Sequence, residues 1–208
     1  QVAPAFAQDG DAFALDEIVV SGALTALPPQ PLNTVGATVD VLAGAEIGAT
    51  PATPVTEALD RVPGLSFTSN GGLGATQLPR ARGLPAPYVA VRIDGIDVTD
   101  PSGVQTFYDF GGLTAAGLGR IEVIRGSQSA LYGSEAIAGV IDIRTLRPGG
   151  PGFTGSLTAE AGSFETFAGA ATLSRATETS RLTFNVSRLV SEGISARAGD
   201  DERDGFAQ

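Results

Sequence analysis

The feature that most constrains this chain is a change of period after Arg147-Pro148-Gly149-Gly150. From there, apolar and hydrophilic residues alternate over three successive segments. Leu157, Ala159 and Ala161 stand against Ser156, Thr158 and Glu160; Phe167, Gly169, Ala171 and Leu173 oppose Ala168, Ala170, Thr172 and Ser174; Leu182, Phe184 and Val186 oppose Thr183, Asn185 and Ser187. Successive side chains of a strand point to opposite faces, so this alternation predicts strands. Each segment runs about nine to eleven residues, enough to cross a bilayer as a tilted strand with one greasy and one hydrophilic face. The same pattern fits a soluble antiparallel meander. Three strands cannot close a barrel and lipid does not tolerate open edges, so the membrane reading requires the chain to be a fragment.

Composition narrows the rest. In 208 residues, 42% are hydrophobic and 17% charged, which excludes a disordered chain. The 28 Gly and 13 Pro favour short strands and many turns over a helical bundle. With neither His nor Cys, the chain cannot supply a Ser-His-Asp or Cys-His nucleophile system, a His/Cys zinc site or a disulfide. The net charge is -10, and the first basic residue is Arg61, so nucleic acid is not an expected partner. No apolar run approaches the ~20 residues of a membrane helix.

The chain opens without Met, and Ala5-Phe6-Ala7 before Gln8 has the A-x-A form of a secretory cleavage site, so residues 1–7 read as the end of a signal peptide on an exported protein. Residues 8–36 read as a flexible leader, acidic and then broken by Pro28, Pro29 and Pro31, with one apolar island at Ile18-Val19-Val20. A mixed α+β domain is expected over 37–147. Thr38 to Leu42 reads as a strand, and Thr53-Pro54 as the N-cap and first position of a short helix stopped by Pro63-Gly64. Leu65 to Thr68 is extended. Val89, Val91 and Ile93 lead into Asp94-Gly95, a two-residue hairpin signal, with Ile96 and Val98 beyond it. Ile121 to Arg125 and Val140 to Thr145 are two further strands around a turn-helix at 127–139. Residues 148–208 hold the three alternating strands and a loop.

Five stretches together carry a resemblance: Asp16-Glu17-Ile18-Val19-Val20-Ser21-Gly22, Arg82-Gly83, Ile93-Asp94-Gly95, Ile121-Glu122-Val123-Ile124-Arg125-Gly126, and Leu131-Tyr132-Gly133-Ser134-Glu135-Ala136-Ile137-Ala138-Gly139-Val140-Ile141-Asp142-Ile143. In this order they resemble the plug of TonB-dependent outer-membrane receptors. Ser69-Asn70-Gly71-Gly72-Leu73-Gly74 ahead of Arg82-Gly83, and the Gly162-Ser163 turn, are most similar to the cobalamin-receptor type. The resemblance implies an α+β plug domain followed by the first antiparallel strands of a transmembrane β-barrel of ~22 strands, in the outer membrane of a Gram-negative bacterium and in contact with its lipid. It implies no enzyme activity, but uptake of a small-molecule ligand, cobalamin or an iron-siderophore, energised by the periplasmic transducer TonB.

Residue roles follow from the same likeness. Asp16, Glu17, Ile18, Val19, Val20 and Ser21 would form the TonB box, with Gly22 standing where Ala is usual. An apolar β-prone island in a leader can add as an edge strand to a partner sheet; the other reading makes it the first strand of the folded region. Arg82 and Arg125, each before a Gly, would pair with Glu side chains of the barrel wall beyond residue 208. Loops offer ligand contacts: Ser69, Asn70, Gly71 and Gly72 in a Gly-rich segment, and Thr99, Asp100, Gln105 and Tyr108 in a polar-aromatic one. Asp200, Asp201 and Asp204 cluster among glycines, and cobalamin-type receptors are similar in holding calcium in such a loop; a solvated acidic loop is the other reading. Beside the receptor stand two alternatives: a secreted soluble binding or adhesion module, and an enzyme using Asp94, Asp97, Asp100 and Asp109 in acid-base work.

Overall fold

The computed structural model describes residues 19–20, 30–31, 37–47, 53–148, 150–193 and 205–207. In chain order the elements begin with strands β1 (Val19–Val20), β2 (Gln30–Pro31) and β3 (Thr38–Ala43), then helices α1 (Gly44–Ile47) and α2 (Val55–Leu59). Strands β4 (Leu65–Ser69), β5 (Gln77–Ala81), β6 (Val89–Ile93), β7 (Ile96–Asp97) and β8 (Leu118–Arg125) follow. Helix α3 (Ser129–Tyr132) and β9 (Gly139–Thr145) complete the first domain. Strands β10 (Gly152–Gly162), β11 (Thr166–Ala176), β12 (Arg181–Ser191) and β13 (Phe206–Ala207) make the second.

The first domain is built on a five-stranded sheet in the order β3-β8-β9-β6-β7, antiparallel except for the β6–β9 pair. Its β-branched residues fill one face: Val91, Ile121, Val123, Ile141 and Ile143 pack with Val55 and Leu59 of α2 and with Phe110, all at most 3% exposed. Burying each such side chain stabilises the fold by about 1.5–3 kcal/mol. The opposite face pairs small and branched residues (Val39, Ala90, Ile124, Ala136, Val140) with a row of charges. That row is Arg92, Asp142 and Glu122, directly opposite one another across β6, β9 and β8.

Local readings needed three corrections. Thr53 is no helix cap: Pro54 occupies the N-cap without a side-chain bond, because Thr53–Pro54 is drawn into backbone pairing with residues 113–115. Val98 lies past the end of β7, although its N–H still bonds Val91 O at 3.2 Å. Strand β5, antiparallel to β4, was not expected, since it carries Pro79; a two-stranded ribbon leaves the missing donor on an open edge. Val19–Val20, within the segment read as a leader, pairs antiparallel with Gln30–Pro31.

The second domain is a meander in the order β10-β11-β12-β13, so a fourth strand begins where three were expected. Across one face run Phe153, Leu157, Phe167, Leu173, Leu182, Phe184 and Val186, each between 49% and 83% exposed. The other face carries Ala168, Ser174 and Ala176, at most 6% exposed, together with Thr172, Thr183 and Asn185. Apart from Leu189, which is buried opposite Ala168, large apolar side chains point out and small or polar ones point in, the reverse of a soluble sandwich. The inner face meets the first domain at Gly117 (φ 75°), where an added Cβ would lie 2.9 Å from the Asn185 amide. Among the described residues no helix is long and apolar enough to cross a membrane.

Candidate functional site

Two irregular segments expected to meet a ligand are brought together on one side of the sheet. The β4–β5 hairpin carries the Gly-rich segment at its tip, where the Ser69 hydroxyl donates to Gly71 O at 2.8 Å and Asn70 N–H donates to Thr76 O at 3.2 Å. Asp109 joins it to the second segment, its Oδ1 accepting from Gln77 N–H at 2.8 Å and Gly111 N–H at 2.9 Å. Gly111 must lack a side chain there, since a Cβ would stand 2.1 Å from Ala75 O. Beside this junction opens a cleft of about 450 Å³ lined by Ser69, Gly71, Gly72, Phe67, Glu57 and Asp60. Glu57 and Asp60, in and just after α2, line this cleft and were not singled out from sequence, since they carry no motif.

The second segment is the loop between β7 and Phe110. Its apex, residues 101–105, is exposed and includes Gln105. Asp100 N–H donates to Phe107 O at 2.9 Å, and Asp100 Oδ1 accepts from Ser102 N–H at 2.8 Å. The Ser102 amide and hydroxyl hold the Asp100 carboxyl below its ordinary range. Tyr108 is half-buried and stacks edge-on against Phe110 with centroids 4.9 Å apart, Phe110 in turn meeting Phe67 at 5.2 Å. Burial, with the nearby Asp109 charge, raises the Tyr108 pKa. Thus Ser69, Gly71, Gly72 and Gln105 offer surface, whereas Thr99, Asp100 and Tyr108 are engaged in holding the loop.

The four carboxylates considered for acid-base work do not converge on one centre. Asp94 accepts from the Thr145 hydroxyl at 2.6 Å and amide at 3.2 Å; Asp97 from the Thr99 amide and hydroxyl; Asp100 and Asp109 as just described. Partial burial pushes the Asp94 pKa up, but the Thr145 hydrogen bonds and the Arg147 and Arg144 charges outweigh it, and the net shift is downward. Asp97 and Asp100 serve their own turns, whereas Asp94 and Asp109 each tie distant segments together.

Arg82 and Arg125 are brought to one edge around the Pro63–Gly64 turn. Arg82 N–H donates to Gly64 O at 2.7 Å, and Arg125 Nη1 donates to Pro63 O at 2.8 Å. Arg125 Nη2 forms an ion pair with Asp40 at 2.6 Å, a partner within the domain that the sequence reading did not anticipate. Arg82 is exposed and has no ion pair among the described residues. The partners of Glu122 and Asp142, unnamed from sequence, are Arg120 at 2.9 Å and Arg144 at 2.7 Å. Arg92 lies 5.6 Å from the Tyr132 ring centroid, and burial, chiefly, pushes the Tyr132 pKa up to about 12.

Asp16, Glu17, Ile18 and Ser21 of the expected docking box, and Asp200, Asp201 and Asp204 of the expected calcium loop, lie outside the described residues. Of the box, Val19 and Val20 are described as strand β1. Among the described residues no cluster of acidic side chains could hold a metal ion.

Residues 31–140 match the family model described as TonB-dependent Receptor Plug Domain. Solved structures similar to this chain include P. aeruginosa FpvA bound to heterologous pyoverdines, at TM-score 0.66 and 19% identity over 84% of this chain and 22% of that one. The ferric yersiniabactin uptake receptor FyuA from Yersinia pestis matches at TM-score 0.58 and 20% identity, over 82% of this chain and 27% of its own. The ferric-catecholate import receptor Fiu from E. coli matches at TM-score 0.58 and 23% identity, over 79% and 23%. The likeness is one of fold, and the chain spans about a quarter of the length of these receptors.

Proposed function

Because the chain belongs to the TonB-dependent receptors through the plug domain it carries, we propose that it is the plug and first wall strands of an outer-membrane receptor that takes up a ferric siderophore. The observation that carries this reading is the orientation of the second domain, whose polar, small-residue face meets the plug at Asn185 while its apolar face is bare. The siderophore is favoured by what the similar receptors are named for. Cobalamin is the second reading, favoured by Ser69-Asn70-Gly71-Gly72-Leu73-Gly74 preceding Arg82-Gly83.

In this reading the exposed loop apex and the cleft beside Ser69 meet the ligand, and Arg82 faces a wall carboxylate contributed by the rest of the barrel, where a bidentate pair in a partly dry interface holds plug to wall. Residues 16–22 dock the energy transducer TonB by strand addition, which uses backbone donors and acceptors. Energy then reaches the plug as a pull on its leader.

The test is uptake by a receptor-deleted host expressing the full-length protein, with an iron(III)-loaded catecholate siderophore and labelled cobalamin offered separately. Val19→Pro deletes a ladder donor, so it is expected to abolish uptake while leaving cell-surface binding intact. Undiminished uptake by that variant, together with no pairing between a peptide of residues 12–26 and the transducer's C-terminal domain, removes the docking role. Uptake of neither ligand removes the transport reading as stated.

A further inference from the structure

Glu135 sits where the backbone is fixed. It lies between Gly133, whose φ of 94° ends α3, and Ala136, which is fully buried in the second face of the sheet. Ala136 N–H donates to Gly133 O at 3.1 Å and Ala136 O accepts from Gln128 N–H at 2.8 Å, closing this turn on itself. From that base the carboxylate reaches across to the 97–107 loop. Its Oε1 accepts from the Thr106 hydroxyl at 2.8 Å, and its Oε2 lies 3.1 Å from the Thr99 hydroxyl. Thr99 stands on the outgoing arm of the loop and Thr106 on the returning arm, with the exposed apex between them.

We propose that Glu135 is a positioning residue that sets the shape of this loop, fastening both of its arms to the rigid α3–β9 turn so that Gln105 and its neighbours are presented in one arrangement. The role in ligand capture rests on the receptor reading above. Apart from the Val98 N–H bond to Val91 O at the root of the loop, its other ties are local: Asp97 to Thr99, Asp100 to Ser102, and the Asp100–Phe107 backbone bond. Those local ties shape its turns, but each joins the loop to itself. Only the Glu135 fork, among the side-chain hydrogen bonds of the described loop residues 98–107, joins them to the α3–β9 turn.

Proton counting gives the proposal a distinctive signature. The Thr99 hydroxyl has one proton yet contacts two carboxylate oxygens, Asp97 Oδ1 at 2.6 Å and Glu135 Oε2 at 3.1 Å. With Gln at position 135, the amide N–H supplies the second proton by donating to Thr99 Oγ1, Thr99 donates to Asp97, and the amide oxygen keeps Thr106. Glu135→Gln therefore preserves the fork, Thr106→Val removes one prong, and Glu135→Ala removes both.

The experiment measures amide hydrogen exchange over residues 98–107 in the full-length receptor, with β9 as internal reference, for the wild type and these three variants. Loss of charge-assisted hydrogen bonds is expected to speed loop exchange about tenfold in Glu135→Ala and by a smaller factor in Thr106→Val, with Glu135→Gln within about twofold of wild type. Binding of iron(III) tris-catecholate is measured alongside and is expected to weaken in the same order. Exchange in Glu135→Ala equal to wild type, or equally fast in Glu135→Gln and Glu135→Ala, overturns the proposal, and Thr106→Val decides it alone if Glu135→Ala fails to fold. A wild-type receptor that ignores the chelate counts against the siderophore reading, while the exchange order still judges the fork.

Discussion

At the scale of single residues, the plug stores its electrostatic tension in the pair Glu122 and Asp142, which face each other directly across β8 and β9 with side chains 0% and 1% exposed. Like charges in opposed positions repel, and burial desolvates both. Burial raises the Asp142 pKa; the Arg144 charge and hydrogen bond and Arg92 pull it down, Glu122 pushes it up, and the net shift is upward. A carboxyl whose folded pKa is raised penalises the folded state once both forms ionise, and that penalty fades as pH falls through the raised pKa towards the ordinary value near 3.8. Asp142 therefore favours folding on mild acidification. Asp94 has the opposite sign: its lowered pKa supports the fold above 3.8, and that support is lost only as pH drops below it. Replacing Arg144 by Met strands a buried carboxylate and is expected to cost about 3 kcal/mol at neutral pH. The loss should shrink towards pH 4, as read from denaturant unfolding of the chain at a series of pH values; a loss independent of pH would contradict the assignment to Asp142.

At the scale of elements, the decisive contact is between the turn before β8 and strand β12. Gly117 adopts φ 75° and leaves room for Asn185, whose Nδ2 donates to Thr172 Oγ1 at 2.7 Å on the neighbouring strand. A Cβ at 117 would stand 2.9 Å from Asn185 Cγ, one bond beyond Asn185 Cβ, which is within disulfide reach. The chain has no Cys of its own, so Gly117→Cys with Asn185→Cys should give a single intramolecular bridge on mild oxidation, visible as a mobility shift reversed by reductant. Failure to cross-link in a double variant that unfolds at the same denaturant concentration as the wild type would mean that the plug does not lie against β12. Contacts of this kind explain what the sequence could and could not reveal. The three long strands were legible because alternation is local, and the β6–β7 hairpin because Asp94-Gly95 names its own turn. The Arg125–Asp40 pair spans 85 positions and the Glu135 fork about 30, and no local pattern reports a partner at such distances. Strand β5 was hidden by Pro79, which is unfavourable in any strand except at an edge of the kind that β5 occupies.

At the scale of the whole molecule, the two domains obey opposite rules of burial. In the plug sheet, Val91, Ile121, Ile141 and Ile143 go inward; in the meander, Phe184, Leu173 and Leu157 go outward while Ser174 and Ala168 are covered. Water alone would not sustain the second arrangement, because a contiguous apolar face of this size calls for a partner, and the plug occupies the other side. A bilayer is the solvent that makes both rules consistent. Adjacent residues on β10 isolate the effect. Leu157 and Ser156 share backbone, length and strand, differ only in the face they occupy, and lie near the middle of Gly152–Gly162. Arg at a lipid-facing position near the bilayer midplane costs roughly 2–4 kcal/mol, whereas Arg facing a polar lumen meets water and other hydrophilic groups. In the full-length receptor, Leu157→Arg is therefore expected to lower the yield of folded, heat-modifiable barrel in the outer-membrane fraction, and Ser156→Arg to leave it near the wild-type level. The reverse order would place the lipid on the other face of the meander and turn the plug out of the barrel.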